Sequence, residues 1–300
     1  MDDKLIDLTR KWCVAIELGV TDKTVVEFAH LVDDHLHPVT WDLIHVVPEY
    51  HHIDFNYESG MMNLELSFRE ESVVKLEELA SQLAKGDPDQ RVTTMIEAGN
   101  PHELLLSERH VAQNNHLIIG KKYQSQSSRD FIIKLTRSHQ GAVWIVPQKC
   151  DVKMKNILVP IDFSPNSIRA LRNANNLVRH WNTPLQLHVL HVYSPPSFTA
   201  AKVLRSRDSF QDEIETFRED AMQDLLQTHL GDDAKYVKRM VVERQEPGVA
   251  QYIDDAAGKI DADLVVMGAK GYSRIERLLI GSVTEKFLQM NTKRITWIIK

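Results

Sequence analysis

The 300-residue sequence predicts an α/β protein of two tandem domains, each with a mostly parallel sheet and helices on both of its faces. Three observations predict it. Short apolar runs recur in the same order in both halves of the chain. The runs are continuous rather than alternating, which marks strands covered on both faces. Segments of helical period lie between them, so successive strands are joined by helical crossovers.

Length and composition agree with this class and exclude others. Three hundred residues suit two domains of roughly 150 residues each. A chain that is 43% apolar and 26% charged is ordinary globular protein rather than disordered or low-complexity chain. No run of about 18 uncharged apolar residues occurs, which argues against a membrane-spanning helix. Met1-Asp2-Asp3-Lys4 lacks the basic-then-apolar layout of a signal peptide. Cys13 and Cys150 are too few for a disulfide scaffold or a cysteine-based zinc site and suit a reducing compartment. A net charge of −6 without a basic tract argues against a nucleic-acid partner. The expected location is the cytoplasm.

The strands follow in order. Trp12-Cys13-Val14-Ala15-Ile16-Glu17 reads like Ile157-Leu158-Val159-Pro160-Ile161-Asp162, an apolar run ending in a carboxylate. Leu43–Val47 pairs with Leu190–Tyr193, His116–Gly120 with Asp263–Gly268, and Val143–Val146 with Thr296–Ile299. The matched positions lie 145, 146, 148 and 153 residues apart, a rising series that fits a duplication with insertions in its second copy. The seam falls near Pro147–Asp151, giving domains at 1–150 and 151–300. Between strands, Phe210, Ile214, Phe217, Ala221 and Leu225 lay one apolar stripe along a helix, with Asp212, Glu215, Glu219 and Asp224 toward water. Val73, Leu76, Leu79, Ala80 and Leu83 do the same in the first half.

Most of the chemistry is concentrated late in the chain. Gly268-Ala269-Lys270-Gly271 is followed after nine residues by Gly281-Ser282-Val283-Thr284-Glu285. Gly268 ends a buried strand and Gly281-Ser282 opens a helix. Glycines let a backbone turn and let a ligand approach closely. Ser282 with Glu285 reads as a capping box. The first amides of that helix are donors at the positive end of its dipole and suit a phosphate. Lys270 is a candidate phosphate contact, while Arg274 and Arg277 read as solvated side chains. One exposed helix end supplies only about 0.3–1 kcal/mol, so base and ribose must be held as well.

Gly-x-x-Gly, nine residues and Gly-Ser resembles the ATP-binding signature of universal stress proteins. Asn156–Ser164 resembles that family's opening strand, His191-Val192 its second, and Leu278–Glu285 its late segment. The resemblance is close from Lys155 to Lys300 and fainter over Lys11 to Pro147. It implies a tandem universal stress protein with five strands per domain, a fold of the adenine-nucleotide alpha-hydrolase type. It further implies that Pro160, Asp162 and Val192 line the adenine and ribose side. Gly268 and Gly271 would pass beneath ribose and phosphates, and Gly281, Ser282 and Val283 would hold the phosphates. The implied ligand is ATP or a related adenine nucleotide, with Mg2+ or Mn2+ carried by its phosphates. Arg294–Ile299 departs from the Pro-Val-Leu-Val run usual in that family's last strand.

The first half lacks much of this pattern. Gly120 remains, Tyr123 stands where Gly271 would, and counting back from Trp144 puts Ser128-Arg129 in the place of Gly281-Ser282. Ala15 and Glu17 replace Pro160 and Asp162. Ser125–Asp130 still offers hydroxyls and Arg129 to an anion. The expectation is one nucleotide per chain, in the second half.

Other candidates have plainer readings. His35, His37, Asp33 and Asp34, and likewise His51, His52 and Asp54, lack the helical spacing of a metal pair. His45 and His191 read as buried, hydrogen-bonded imidazoles, Cys13 as a core thiol, and Cys150 as a linker thiol with no basic cluster around it. No Walker lysine or metal-binding carboxylate accompanies the loop, so a nucleotide-binding stress or regulatory protein is expected rather than an efficient ATPase, with slow ATP hydrolysis at most. A nucleotide-independent interaction module, with Gly-Ser as a mere helix cap, is the alternative. By resemblance, Val143–Val146 and Thr296–Ile299 would meet in an intrachain pseudo-dimer, and two chains would be free to associate further.

Overall fold

The computed structural model describes residues 5–47, 58–84, 91–107, 116–194, 207–246, 248–271 and 280–300, with the backbone alone at 58–68 and 207–212. It divides into two compact units: Ile6–Lys153 with Thr292–Ile295, and Met154–Asn291 with Leu5 and Thr296–Lys300. Among the described residues no helix is long and apolar enough to cross a membrane.

The N-terminal unit runs β1 Trp12–Ile16, α1 Asp22–Leu36, β2 Thr40–Val47, α2 Glu58–Ala84, β3 Arg91–Ala98, α3 Pro101–Leu105, β4 His116–Lys121, α4 Gln126–Ser138 and β5 Ala142–Pro147. Its strands lie in the order β3-β2-β1-β4-β5, with parallel ladders between neighbours. β1, β4 and β5 are buried almost throughout, whereas β3 at the edge is only part-covered. Trp12, Trp41, Trp144 and Phe28 fill the core. His116 stacks on Trp12 at 4.0 Å and accepts the Trp144 indole N–H at Nδ1.

The C-terminal unit runs β6 Asn156–Ile161, α5 Pro165–His180, β7 Gln186–Tyr193, α6 Arg207–Leu230, a 3-10 turn Gly231–Tyr236, β8 Lys238–Glu243, α7 Val249–Lys259, β9 Leu264–Gly268, α8 Ser282–Met290 and β10 Ile295–Ile299. The order is β10-β9-β6-β7-β8, with parallel ladders from β6 to β7, β6 to β9 and β7 to β8. A run of strands in sequence fixes how many strands a unit has, but not where a sheet stops. The expected pair of separate five-stranded sheets is therefore corrected to a coarser statement: ten strands in a mostly parallel α/β fold.

The stripe expected along α6 is also corrected. Leu225 is buried and Ile214 and Ala221 half-buried as expected, but Phe217 is 65% exposed, and Met222, Leu226 and Leu230, outside the expected stripe, are buried. The packed face is set by the C-terminal turns, one step round from the stripe read off the sequence. Phe210 and Asp212 fall where only the backbone is described. On α2, Leu76 and Leu83 are buried as expected, but Val73 is exposed.

Candidate functional site

In open parallel sheets a ligand site forms at the carboxyl ends of strands where the order reverses. In the C-terminal unit that place lies between β6 and β9. Their ladder holds only Ile157 with Leu264 and Leu158 with Val265, while β6 stays paired to β7 through Ile161 and His191. In the N-terminal unit the equivalent ladder continues through Val14 with Ile118 and Ala15 with Ile119. The difference coincides with Pro160, which stands where Ala15 does and has no N–H to give a neighbouring strand. β6 and β9 thus part, and a cavity of about 310 Å3 opens there.

All nine residues singled out from the sequence line this cavity: Pro160, Asp162, Val192, Gly268, Lys270, Gly271, Gly281, Ser282 and Val283. Sequence reading missed Leu190, Val249, Ile253 and Met267, which form its apolar wall with Val192 and Pro160. Their one signal is period: Leu190 and Val192 share a face of β7, and Val249 and Ile253 a face of α7. Ser167 and Thr284 were missed as well. Arg274 and Arg277 lie outside the described residues.

Local bonds hold the rim. The Gly281 N–H donates to Ala269 O at 2.6 Å, and Ala269 N–H donates to Ile299 O at 2.7 Å. The Thr284 hydroxyl donates to Gly268 O at 3.0 Å. The two ends of the loop are thereby tied together without help from a ligand. A Cβ on Gly268 would lie 2.7 Å from the Asn166 carbonyl, so only glycine lets β9 and the start of α5 approach this closely. A Cβ on Gly271 would run into Asp162 Oδ2. Gly271 therefore makes room for the Asp162 carboxylate, a role the sequence reading did not assign.

The expected capping box is corrected. Gly281, not Ser282, is the N-cap of α8, and among the described residues no side-chain cap bond is made at this end. Ser282 occupies the first helical position, so its hydroxyl is not spent on the helix's own amides. Among the described residues the N-cap of α8 offers no side-chain acceptor to the first amides of the helix, which lie at the cavity. α5 contrasts with it: the Ser164 hydroxyl accepts from Ser167 N–H at 3.3 Å, and Asp162 Oδ1 accepts from Ser164 N–H at 3.1 Å. Phe163 between them has φ +62°, and Leu18 in the other unit has φ +55°, so both units turn sharply after the first strand.

In the N-terminal unit the same position is closed by its own side chains. α4 begins at Gln126 with Ser125 as N-cap, and the Ser125 hydroxyl accepts from Ser128 N–H at 3.2 Å. The counterpart of Gly281-Ser282 is therefore Ser125-Gln126, not Ser128-Arg129. Five residues carry Gly120 to this cap and thirteen carry Gly268 to Gly281, so the loop is eight residues shorter. The helix that follows is longer, which offset the count taken from Trp144. Arg129 is engaged by Gln126 Oε1 at 2.6 Å. Lys122, two residues after Gly120 as Lys270 is after Gly268, lies 3.0 Å from Glu17 Oε2. Lys121 is buried where Ala269 stands in the other unit, and burial, with Arg129 nearby, holds its amine down at about 8. Asp22, in the place of Ser167, accepts from the Glu17 and Gly19 amides, and burial raises its carboxyl.

The remaining candidates are placed as follows. His45 and His191 bond through Nδ1 to Ile16 O at 2.8 Å and Ile161 O at 3.0 Å, and burial lowers His191. Asp33 accepts the Trp41 indole N–H, and His37 is the left-handed C-cap of α1. His51, His52 and Asp54 lie outside the described residues. Cys13 is buried; Cys150 is half-buried and its thiol is pushed up to about 12, chiefly by burial.

Residues 153–290 match the Universal stress protein family. A universal stress protein of Methanocaldococcus jannaschii is 28% identical over 143 residues, 45% of this chain and 76% of that protein. The crystal structure of a universal stress protein from Archaeoglobus fulgidus is similar over 97% of this chain and 96% of its own, with a TM-score of 0.66 at 16% identity. A Pseudomonas aeruginosa protein of unknown function is similar over 97% and 92%, with a TM-score of 0.60 at 16% identity. These two likenesses concern fold.

Proposed function

We propose that the C-terminal unit binds ATP or a related adenine nucleotide, and that this occupancy serves a stress-response or regulatory role. One observation carries the reading. Nine residues spread from Pro160 to Val283, most of them singled out through the family resemblance, all line a single cavity. That cavity has an apolar wall for a base at one side and an uncapped helix start with Lys270 for phosphates at the other. Among the described residues no three metal-ligating side chains lie together, so Mg2+ or Mn2+ would enter with the phosphates. The loop sequence carries no Walker lysine–hydroxyl pair, and the reading is of slow hydrolysis at most.

The N-terminal unit is read as a degenerate copy of the same domain, making the chain a tandem protein. Its Ser125 cap and Lys122–Glu17 pair favour a nucleotide-independent role for that half. A cytoplasmic location and an intrachain pseudo-dimer complete the proposal. Isothermal titration of the full chain with ATP tests it. One site per chain, weakened by Ser282→Asp, is expected. Absence of binding, or two equal sites, refutes it.

A further inference from the structure

We infer that His191 is a positioning residue for the nucleotide site: from behind the sheet it grips the turn that carries Asp162 to the cavity. The inference rests on the nucleotide reading above and deepens it, because it names a group that governs affinity without touching the ligand.

Strand register places it. His191 stands opposite Ile161, the last residue of β6, and its Nδ1 lies 3.0 Å from Ile161 O. A carbonyl only accepts, so Nδ1 carries the proton and donates it. On the other side of Asp162 in the chain, the Phe163 ring makes a T-shaped contact with the imidazole, centroids 4.6 Å apart at 75°. One ring thus holds the residues before and after Asp162, and Asp162 lines the cavity. His191 is 6% exposed, and alternation along β7 sets it on the face opposite Leu190 and Val192, which line the cavity too. It therefore acts on the site through the sheet.

Backbone conformation shows why the turn needs holding. Phe163 has φ +62°, a region that a bulky residue occupies only where its surroundings impose it. The bond to Ile161 and the ring contact with Phe163 are two such restraints. Ser164 adds a third by donating its N–H to Asp162 Oδ1 at 3.1 Å. Together they aim the carboxylate at the space that Gly271 leaves. Nε2 of His191 makes no hydrogen bond among the described residues, so the ring's polar contact is spent on this turn. Without the imidazole, Phe163 relaxes toward ordinary φ and Asp162 swings with it. The N-terminal unit repeats the bond between His45 and Ile16 O at 2.8 Å, ahead of Leu18 at φ +55°. There Glu17, in the place of Asp162, meets Lys122. His45 is an internal control: the same bond at a turn to which no nucleotide is assigned.

The test is isothermal titration of ATP into the full chain for the wild type, His191→Leu, His191→Asn, Asp162→Ala and the Asp162→Ala, His191→Leu double variant, with His45→Leu as control. His191→Leu is expected to weaken ATP about tenfold, within the range over which residues in one network couple. His191→Asn, whose side-chain amide reaches the place of Nδ1, should stay within about twofold of the wild type, and so should His45→Leu. In the Asp162→Ala background the leucine substitution should change affinity by less than about twofold, whereas a merely structural histidine would cost the same with or without Asp162. Three results overturn the inference: wild-type affinity in a folded His191→Leu protein, a full further loss on top of Asp162→Ala, or a His45→Leu loss as large as that of His191→Leu. A measurement without any variant stands beside these. In NMR spectra of the unmodified chain with nitrogen-labelled histidine, ATP should shift the His191 Nδ1 resonance and leave that of His45 in place; an unmoved His191 signal overturns the inference. If the wild type binds no ATP, the nucleotide reading itself falls, and the positioning role with it.

Discussion

Replacing Ser282 by aspartate should move stability and ligand binding in opposite directions. Ser282 is the first helical residue of α8, whose N-cap Gly281 makes no side-chain cap bond among the described residues. A carboxylate there meets the positive end of the helix and should stabilise the fold by about 0.3–1 kcal/mol. The same carboxylate lines the cavity where the phosphates are placed. A unit charge about 4 Å from another, at an effective dielectric of about 20, is opposed by about 4 kcal/mol before salt screening. Allowing for screening, about 2–4 kcal/mol remains, a loss of roughly thirty- to several-hundred-fold in ATP affinity. Ser125 serves as the internal control. Ser125→Ala removes the hydroxyl that accepts from Ser128 N–H and should cost about 1 kcal/mol of stability. Ser282→Ala removes no cap and should cost almost none. Urea unfolding followed by tryptophan fluorescence reads stability, and isothermal titration reads affinity. If Ser282→Asp binds ATP as the wild type does, the helix start is not the phosphate site. Should Ser282→Ala destabilise the protein as much as Ser125→Ala, the cap assignment is wrong.

Two further outcomes are expected. Burial lowers His116 to about 4 from an ordinary 6.5, so the folded protein keeps it neutral while the unfolded chain takes a proton first. Its contribution is fully present above about pH 6.5 and is lost as pH falls toward 4, about 2 kcal/mol of it between pH 7 and 5. His116→Phe should flatten that part of the stability–pH curve, and an unchanged slope in urea titrations would count against the assignment. Gly268→Ala puts a Cβ 2.7 Å from backbone atoms of Asn166, which cannot rotate away. A loss of about 1–3 kcal/mol is expected, together with weaker ATP binding, because Gly268 O anchors Thr284. A variant with wild-type denaturation midpoint would refute the close-approach role.

The strands were legible because burial on both faces leaves a direct mark, and Trp12–Ile16 and Leu264–Gly268 read as near-continuous apolar runs. Part of the site was legible for a related reason: the strand-end Gly268, the helix-entry Gly281 and the strand-end carboxylate Asp162 sit where the chain must turn, whereas Pro160 and Val192 were singled out only through the family resemblance. Side-chain contacts across distant segments were not. Phe217 fits a helical stripe but points to water, because the face α6 presents is chosen by what Met222 and Leu226 meet. The place of Ser125 was misjudged because the loop before α4 and the length of α4 changed together, and a count along the chain sees only their sum.

The sequence by itself determined the repeat, the strand–helix alternation, and which half keeps the glycines and serine of the phosphate loop. These are properties of neighbouring residues, and secondary structure responds to neighbours. Tertiary structure decided that β6 and β9 part after two paired residues, that Gly271 makes room for Asp162, and that Lys122 lies on Glu17 while Lys270 faces the cavity. Each depends on atoms more than a hundred residues apart along the chain, and only packing can bring those within a few ångströms.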